Sequence, residues 1–171
     1  MEQRRTAMKH LILVGLPGSG KTTVGRLVSE MLHLPFADSD EWVERRTGRT
    51  IPALFAAEGE AYFRREEREA LLTLCAMPPK VIATGGGAVL DEENCKLLRQ
   101  SGRVIFLDAL PEDIARRIGA EGRPLLQTNT IEQLARQRRK SYLACAHVTV
   151  SAENAQAAAE RIVEYWKENE V

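Results

Sequence analysis

A chain of 171 residues with 44% hydrophobic and 28% charged residues has the size and composition of one ordinary globular domain, which excludes disordered and fibrous classes. Lysine plus arginine equals aspartate plus glutamate at 24 each, so no overall field draws the chain to nucleic acid or to an anionic membrane. The longest apolar run, around Leu11 to Val14, falls far short of the roughly 20 residues that cross a bilayer.

Residues 1–9 carry arginines and no secretory apolar core, and read as a loose tail ahead of a single domain over 10–171. His10 to Val14 is a short apolar run bounded by glycine, which predicts a buried strand. From Lys21 to Leu34 the apolar residues recur at helical spacing until Pro35 stops them. Pro35 to Ala37 supplies a second strand. Short helices follow over Asp40 to Arg46 and Ile51 to Ala57, then a longer one from Gly59 to Ala76.

Val81 to Thr84 is a third strand running into Gly85-Gly86-Gly87. Asp91 to Ser101 reads as helix, Arg103 to Leu107 as strand, and Pro111 to Ile118 and Ile131 to Ala144 as helices. His147 to Val150 is a fifth strand, and Glu153 to Glu168 a closing helix. Strands alternating with helices of about 10 to 15 residues predict an α/β domain with a mainly parallel sheet covered on both faces. Cys75, Cys95 and Cys145 are odd in number and form no Cys-x-x-Cys pair, which argues against a disulfide framework or a zinc site and fits a reducing cytoplasm.

The segment Gly15-Leu16-Pro17-Gly18-Ser19-Gly20-Lys21-Thr22 has the Walker A spacing and lies between a predicted strand and helix. Glycines let such a loop wrap until its N–H groups, including those of Gly18, Ser19, Gly20, Thr22 and Thr23, point at phosphate oxygens, and the helix start adds a positive dipole. Lys21 can reach the β- and γ-phosphates of ATP, and Thr22 can ligate Mg²⁺. Asp38 and Asp40 follow the second strand, at the sheet edge where open parallel sheets bind ligands. One carboxylate can face magnesium, Asp38 through a metal-bound water, and the other the acceptor. The bland reading of this pair is a helix cap, with Asp40 ahead of Glu41-Trp42.

The stretch Thr47-Gly48-Arg49-Thr50-Ile51, Phe55, Gly59-Glu60 and Phe63-Arg64-Arg65-Glu66-Glu67 resembles the shikimate kinase family. So do Thr84-Gly85-Gly86-Gly87 and Arg123-Pro124-Leu125-Leu126, and the likeness covers nearly all of the chain beyond Lys9. It implies a three-layer α/β/α P-loop fold with strand order 2-3-1-4-5, substrate-binding helices over about 40–76 and a mobile lid over about 119–130. The implied reaction moves the γ-phosphoryl group of ATP to the 3-hydroxyl of shikimate, with Mg²⁺, in a cytoplasmic monomer serving aromatic amino acid biosynthesis. Asp40 would act at the acceptor hydroxyl as catalytic residue with Lys21 and Arg123. Arg64 and Arg138 would hold the substrate carboxylate, Gly85 and Gly86 would offer backbone contacts, and Arg123 would also touch ATP from the lid. Guanidinium forks suit a planar carboxylate, and a carboxylate beside a hydroxyl can take its proton.

The likeness loosens at Arg138-Arg139-Lys140-Ser141-Tyr142, where the family's proline and leucine are missing. Register from Tyr142 favours Arg138, with Arg136 and Arg139 as alternatives. Arg116 or Arg117 would stand near adenine, with residues 152–155 opposite. The charges from Arg64 to Glu69 also suit a solvated helix face with pairs such as Arg65 with Glu69. Rival readings are a kinase of another hydroxy acid such as gluconate, and a catalytically silent nucleotide-binding module.

Overall fold

The computed structural model describes residues 9–120 and 128–170. β1 (His10–Val14) is buried at every position and sits at the centre of a five-stranded sheet of order β2-β3-β1-β4-β5, all of whose pairings are parallel. The others are β2 (Phe36–Asp38), β3 (Val81–Ala83), β4 (Gly102–Asp108) and β5 (Val148–Ser151). A strand with neighbours on both edges and helices on both faces has no polar side to present, which is why β1 reads as an uninterrupted apolar run. α1 (Lys21–Leu32) and α7 (Ala155–Glu168) pack together on one face. The other face carries α3 (Ile51–Ala76), α4 (Glu92–Ser101) and α6 (Thr128–Cys145), with α5 (Pro111–Ala120) against α6. Strand order, parallelism and two helical layers agree with the expectation.

Local deviations have local causes. α2 (Ser39–Thr47) starts one residue earlier than the pattern predicts, because Asp38 and not Asp40 is its cap: Asp38 Oδ1 accepts from the backbone N–H of Asp40 at 2.9 Å and of Glu41 at 3.3 Å. The two helices expected over 51–76 are both present, meeting at Gly59, whose φ of 80° and ψ of 173° break the helix between them. A 3₁₀ turn at Ala88–Leu90, which no periodicity announces, follows the glycine cluster. Among the described residues no helix is long and apolar enough to cross a membrane.

The three cysteines pack in or against the core, with Cys145 fully buried. His147 tightens the start of β5: its Nδ1 accepts from Val104 N–H at 2.9 Å, and its own N–H donates to Val104 O at 2.7 Å. Nδ1 can accept only while the ring is neutral. Burial, together with Arg99, Arg103 and Lys9, pushes the His147 pKa below its usual value. The unfolded chain therefore takes up this proton first as pH falls. The stabilising contribution is whole above about pH 6.5 and is lost as pH drops from there toward the folded pKa. His147→Asn, whose side-chain oxygen also accepts but does not titrate, is expected to give a shallower fall in Tm between pH 7 and pH 5. Parallel melting curves for the two proteins would remove His147 as a source of acid lability.

Candidate active site

The first element of the site is the turn from β1 into α1. Gly20 is the α1 cap and holds φ 95°, ψ 15°, a left-handed conformation that glycine adopts without a Cβ clash. With no side chain capping this helix end, its first N–H groups face an incoming anion. Lys21 is 9% exposed and folds back on the loop, donating to the carbonyl oxygens of Gly15 at 2.7 Å and Leu16 at 2.8 Å. Burial lowers its pKa to about 8, against the opposing pull of Asp40 and Asp38. Ser19 is fully buried with its hydroxyl unpartnered among the described residues, Gly18 packs against Ile114 and Ile118, and Thr23 is exposed one residue beyond Thr22.

β2 and β3 bring the acceptor side next to this loop. Thr22 Oγ1 donates to Asp38 Oδ2 at 2.9 Å, so Asp38 serves the helix cap with one oxygen and the phosphate loop with the other. Two oxygens of this kind are hard donors that suit Mg²⁺. Asp40, two residues on, turns its Oδ1 into the site without a partner among the described residues. Burial, then Asp38 and Glu67, raise its pKa to about 6, with Lys21 pulling the other way. A carboxylate in that range is poised to exchange a proton near neutrality.

The glycine cluster after β3 fits this geometry closely. A methyl group on Gly85 would stand 2.7 Å from Asp40 Oδ1 and 2.8 Å from Glu67 Oε2, and one on Gly87 would stand 2.6 Å from Arg64 Nη2. Only a bare backbone allows these side chains to approach. Gly86 lies against the ring of Pro17, which joins the cluster to the phosphate loop. Gly85 N–H donates to the buried Ser39 hydroxyl at 3.0 Å.

Arg64 and Arg138 both enter the site. Arg64 donates to the buried Glu67 Oε1 at 2.9 Å and makes an i, i+4 pair with the exposed Glu60 at 3.4 Å. Arg65 instead lies over the Tyr62 ring at 5.7 Å. The three arginines of α6 differ in their partners. Arg139 pairs with Asp108 at 2.8 Å, and Arg136 pairs with Glu132 at the surface. Arg138 is the arginine whose charge reaches Glu67, Lys21 and Tyr142.

On the nucleotide side, Arg117 donates to Ala152 O at 2.9 Å and to Gly18 O at 3.4 Å, spanning the loop after β5 and the phosphate loop, whereas Arg116 turns to Asp113. Arg123 and most of the expected lid lie outside the described residues.

Sequence reasoning missed two groups. Glu67 is 1% exposed, with Oε1 on Arg64 and Oε2 beside Asp40 without a hydrogen-bond partner among the described residues, and burial raises its pKa against the Arg64 pairing. Its i+3 spacing from Arg64 was the available signal. Tyr142, used above only for register, donates from its hydroxyl to Gly86 O at 2.6 Å.

Against known proteins, the family model for shikimate kinase matches residues 17–167. The chain is 50% identical over 148 residues to a shikimate kinase of Symbiobacterium thermophilum, covering 82% of this chain and 85% of that one. It is 46% identical over 148 residues to one of Paracidovorax citrulli, covering 82% and 81%. Among solved structures, shikimate kinase from Acinetobacter baumannii in complex with shikimate superposes with a TM-score of 0.88 at 37% identity, covering 95% of this chain and 94% of that one. Shikimate kinase from Aquifex aeolicus gives 0.81 at 37% identity, covering 94% and 97%. With a family match over most of its length and the sheet order that the likeness implied, the chain belongs to the shikimate kinase family.

Proposed function

We propose that this chain is an ATP-dependent kinase that transfers the γ-phosphoryl group to the 3-hydroxyl of shikimate, giving shikimate 3-phosphate and ADP. The observation that carries the reading is the convergence of Asp40, Arg64 and Arg138 around the glycine cluster, which itself packs on Pro17 of the phosphate loop. A small anionic alcohol would be gripped there next to the phosphate site.

The loop N–H groups and the start of α1 hold the phosphates. Lys21 leaves the Gly15 and Leu16 carbonyls to meet the β- and γ-oxygens, exchanging two neutral acceptors for charged ones. Thr22 would hold Mg²⁺ directly and Asp38 through a water; when bound, the ion offsets phosphate charge. Asp40 orients the acceptor hydroxyl and takes its proton. Arg64 and Arg138 fix the carboxylate, and the backbone of Gly85 and Gly86 meets the ring hydroxyls. Arg117 stands on the adenine side, and Arg123 would bring positive charge to the transferring group as the lid closes. Catalysis on this reading is mainly positioning and charge stabilisation. A cytoplasmic monomer completes the proposal.

The test is coupled ADP release with Mg-ATP, comparing shikimate, gluconate and no acceptor. Strong shikimate-dependent release is expected. Release driven by gluconate would keep the kinase and discard the substrate. ATP binding without acceptor-dependent turnover would leave a silent nucleotide-binding module.

A further inference from the structure

The glycine cluster is held by buried side chains from three different helices. Ser39 of α2 accepts from Gly85 N–H at 3.0 Å, and Asn94 of α4 donates to Ala88 O at 3.0 Å. Between them Tyr142 of α6, 1% exposed, donates to Gly86 O at 2.6 Å. The Tyr142 hydroxyl has acceptor capacity left, and the Arg138 charge acts on it, pulling its pKa down against burial. Arg138 and Tyr142 are four residues apart, so both stand on the same face of α6.

The ring below that hydroxyl is fixed as well. It stacks on Phe106 of β4 with centroids 5.0 Å apart and planes 22° from parallel. Arg139 lies over the same Phe106 ring at 5.6 Å and is tied to Asp108 at the end of β4. The rotation of α6 about its axis is thus set by contacts with β4, and the Tyr142 hydroxyl transmits that setting to the glycine cluster and to Arg138.

We propose that Tyr142 is a positioning residue of the acceptor site, whose hydroxyl fixes the spacing between the Gly86 backbone and the Arg138 guanidinium so that both meet one acceptor molecule. The inference rests on reading Gly86 and Arg138 as acceptor contacts. It makes the acceptor end depend on one hydroxyl whose hydrogen bond runs to Gly86 and not to a phosphate-loop residue. The other ends of the cluster keep Ser39 and Asn94, so loss of the hydroxyl frees Gly86 and Arg138 without releasing the loop as a whole.

The experiment uses Tyr142→Phe, which keeps the stacked ring and removes only the oxygen, together with Arg138→Ala and the double variant. Steady-state kinetics are run with shikimate and ATP varied separately, and melting curves are recorded for each protein. Tyr142→Phe is expected to raise the KM for shikimate roughly 3- to 13-fold, the size of one lost hydrogen bond between neutral groups, with the KM for ATP changed less than twofold. In the Arg138→Ala background the same change should add less than twofold, because a group that acts through Arg138 has little left to position.

An unchanged KM for shikimate, an equal rise in both KM values, or full additivity in the double variant would each overturn the proposal. If Tyr142→Phe does not fold, Phe106→Leu tests the same device by loosening the ring, with the same selective rise in the KM for shikimate expected and an unselective one fatal. The parent enzyme is assayed first: failure of shikimate to drive ADP release there overturns the acceptor reading, and this inference with it. A working parent with an indifferent Tyr142→Phe overturns this inference alone.

Discussion

Asp40→Asn is expected to bind ATP with near-parent affinity and to lose roughly 10²- to 10⁴-fold in kcat, the range that a positioned general base contributes. The substitution preserves shape, and the backbone N–H of Asp40 continues to donate to Asp38, so the start of α2 stays capped. What disappears is the carboxylate oxygen Oδ1, which is buried in the site with no hydrogen-bond partner among the described residues. Asn in its place presents either a neutral carbonyl or an amide donor, and neither can take up the acceptor's proton. Lys21 loses an attractive charge, but its contacts to the Gly15 and Leu16 carbonyls remain. Calorimetric ATP binding and shikimate-dependent turnover, measured on the same preparation, decide the matter. Turnover within a factor of about five of the parent would remove Asp40 as the proton acceptor, and a parallel loss of ATP binding would mean that it supports the phosphate loop instead.

Legibility in the sequence followed the range of the interactions involved. β1 could be read because total burial leaves an unbroken apolar run, and the phosphate loop because its spacing is a local backbone requirement. The order of the strands was not contained in their periodicity and came from family likeness; the structure agrees with it. The cap of α2 was misassigned by two residues because both aspartates are chemically able to cap, and only the extended backbone of Asp38 decides between them. The three arginines of α6 were indistinguishable by type. They are separated by Asp108 and Glu132, one on a distant strand and the other a turn away on the same helix, and the choice needs the rotation of α6 against β4. Glu67 was hidden for a related reason: a charged run gives no sign of which member turns inward, and burial of a carboxylate makes sense only once Arg64 is seen beside it.

That pairing governs what should follow when Arg64 is removed. Arg64→Ala is expected to raise the KM for shikimate roughly 30- to 1000-fold, corresponding to about 2–4 kcal/mol for a charge-assisted contact to a carboxylate in a partly desolvated site. The KM for ATP should change less than threefold, since the guanidinium's ion-pair partners among the described residues are Glu67 and Glu60, neither of them on the phosphate loop. Arg64→Lys should recover only part of the loss, because a single ammonium cannot serve Glu67 and a planar carboxylate with the same fork. The removal also strands Glu67, whose Oε1 loses its donor while Oε2 already has none among the described residues. A lower Tm is therefore expected alongside the kinetic defect, and Arg64→Ala/Glu67→Gln should regain part of the Tm without regaining affinity for shikimate. Arg65→Ala, altering an exposed side chain that rests on Tyr62, is the control and should leave both KM values in place. Equal rises in the two KM values for Arg64→Ala, or a defect of the same size in Arg65→Ala, would show that the carboxylate is gripped elsewhere.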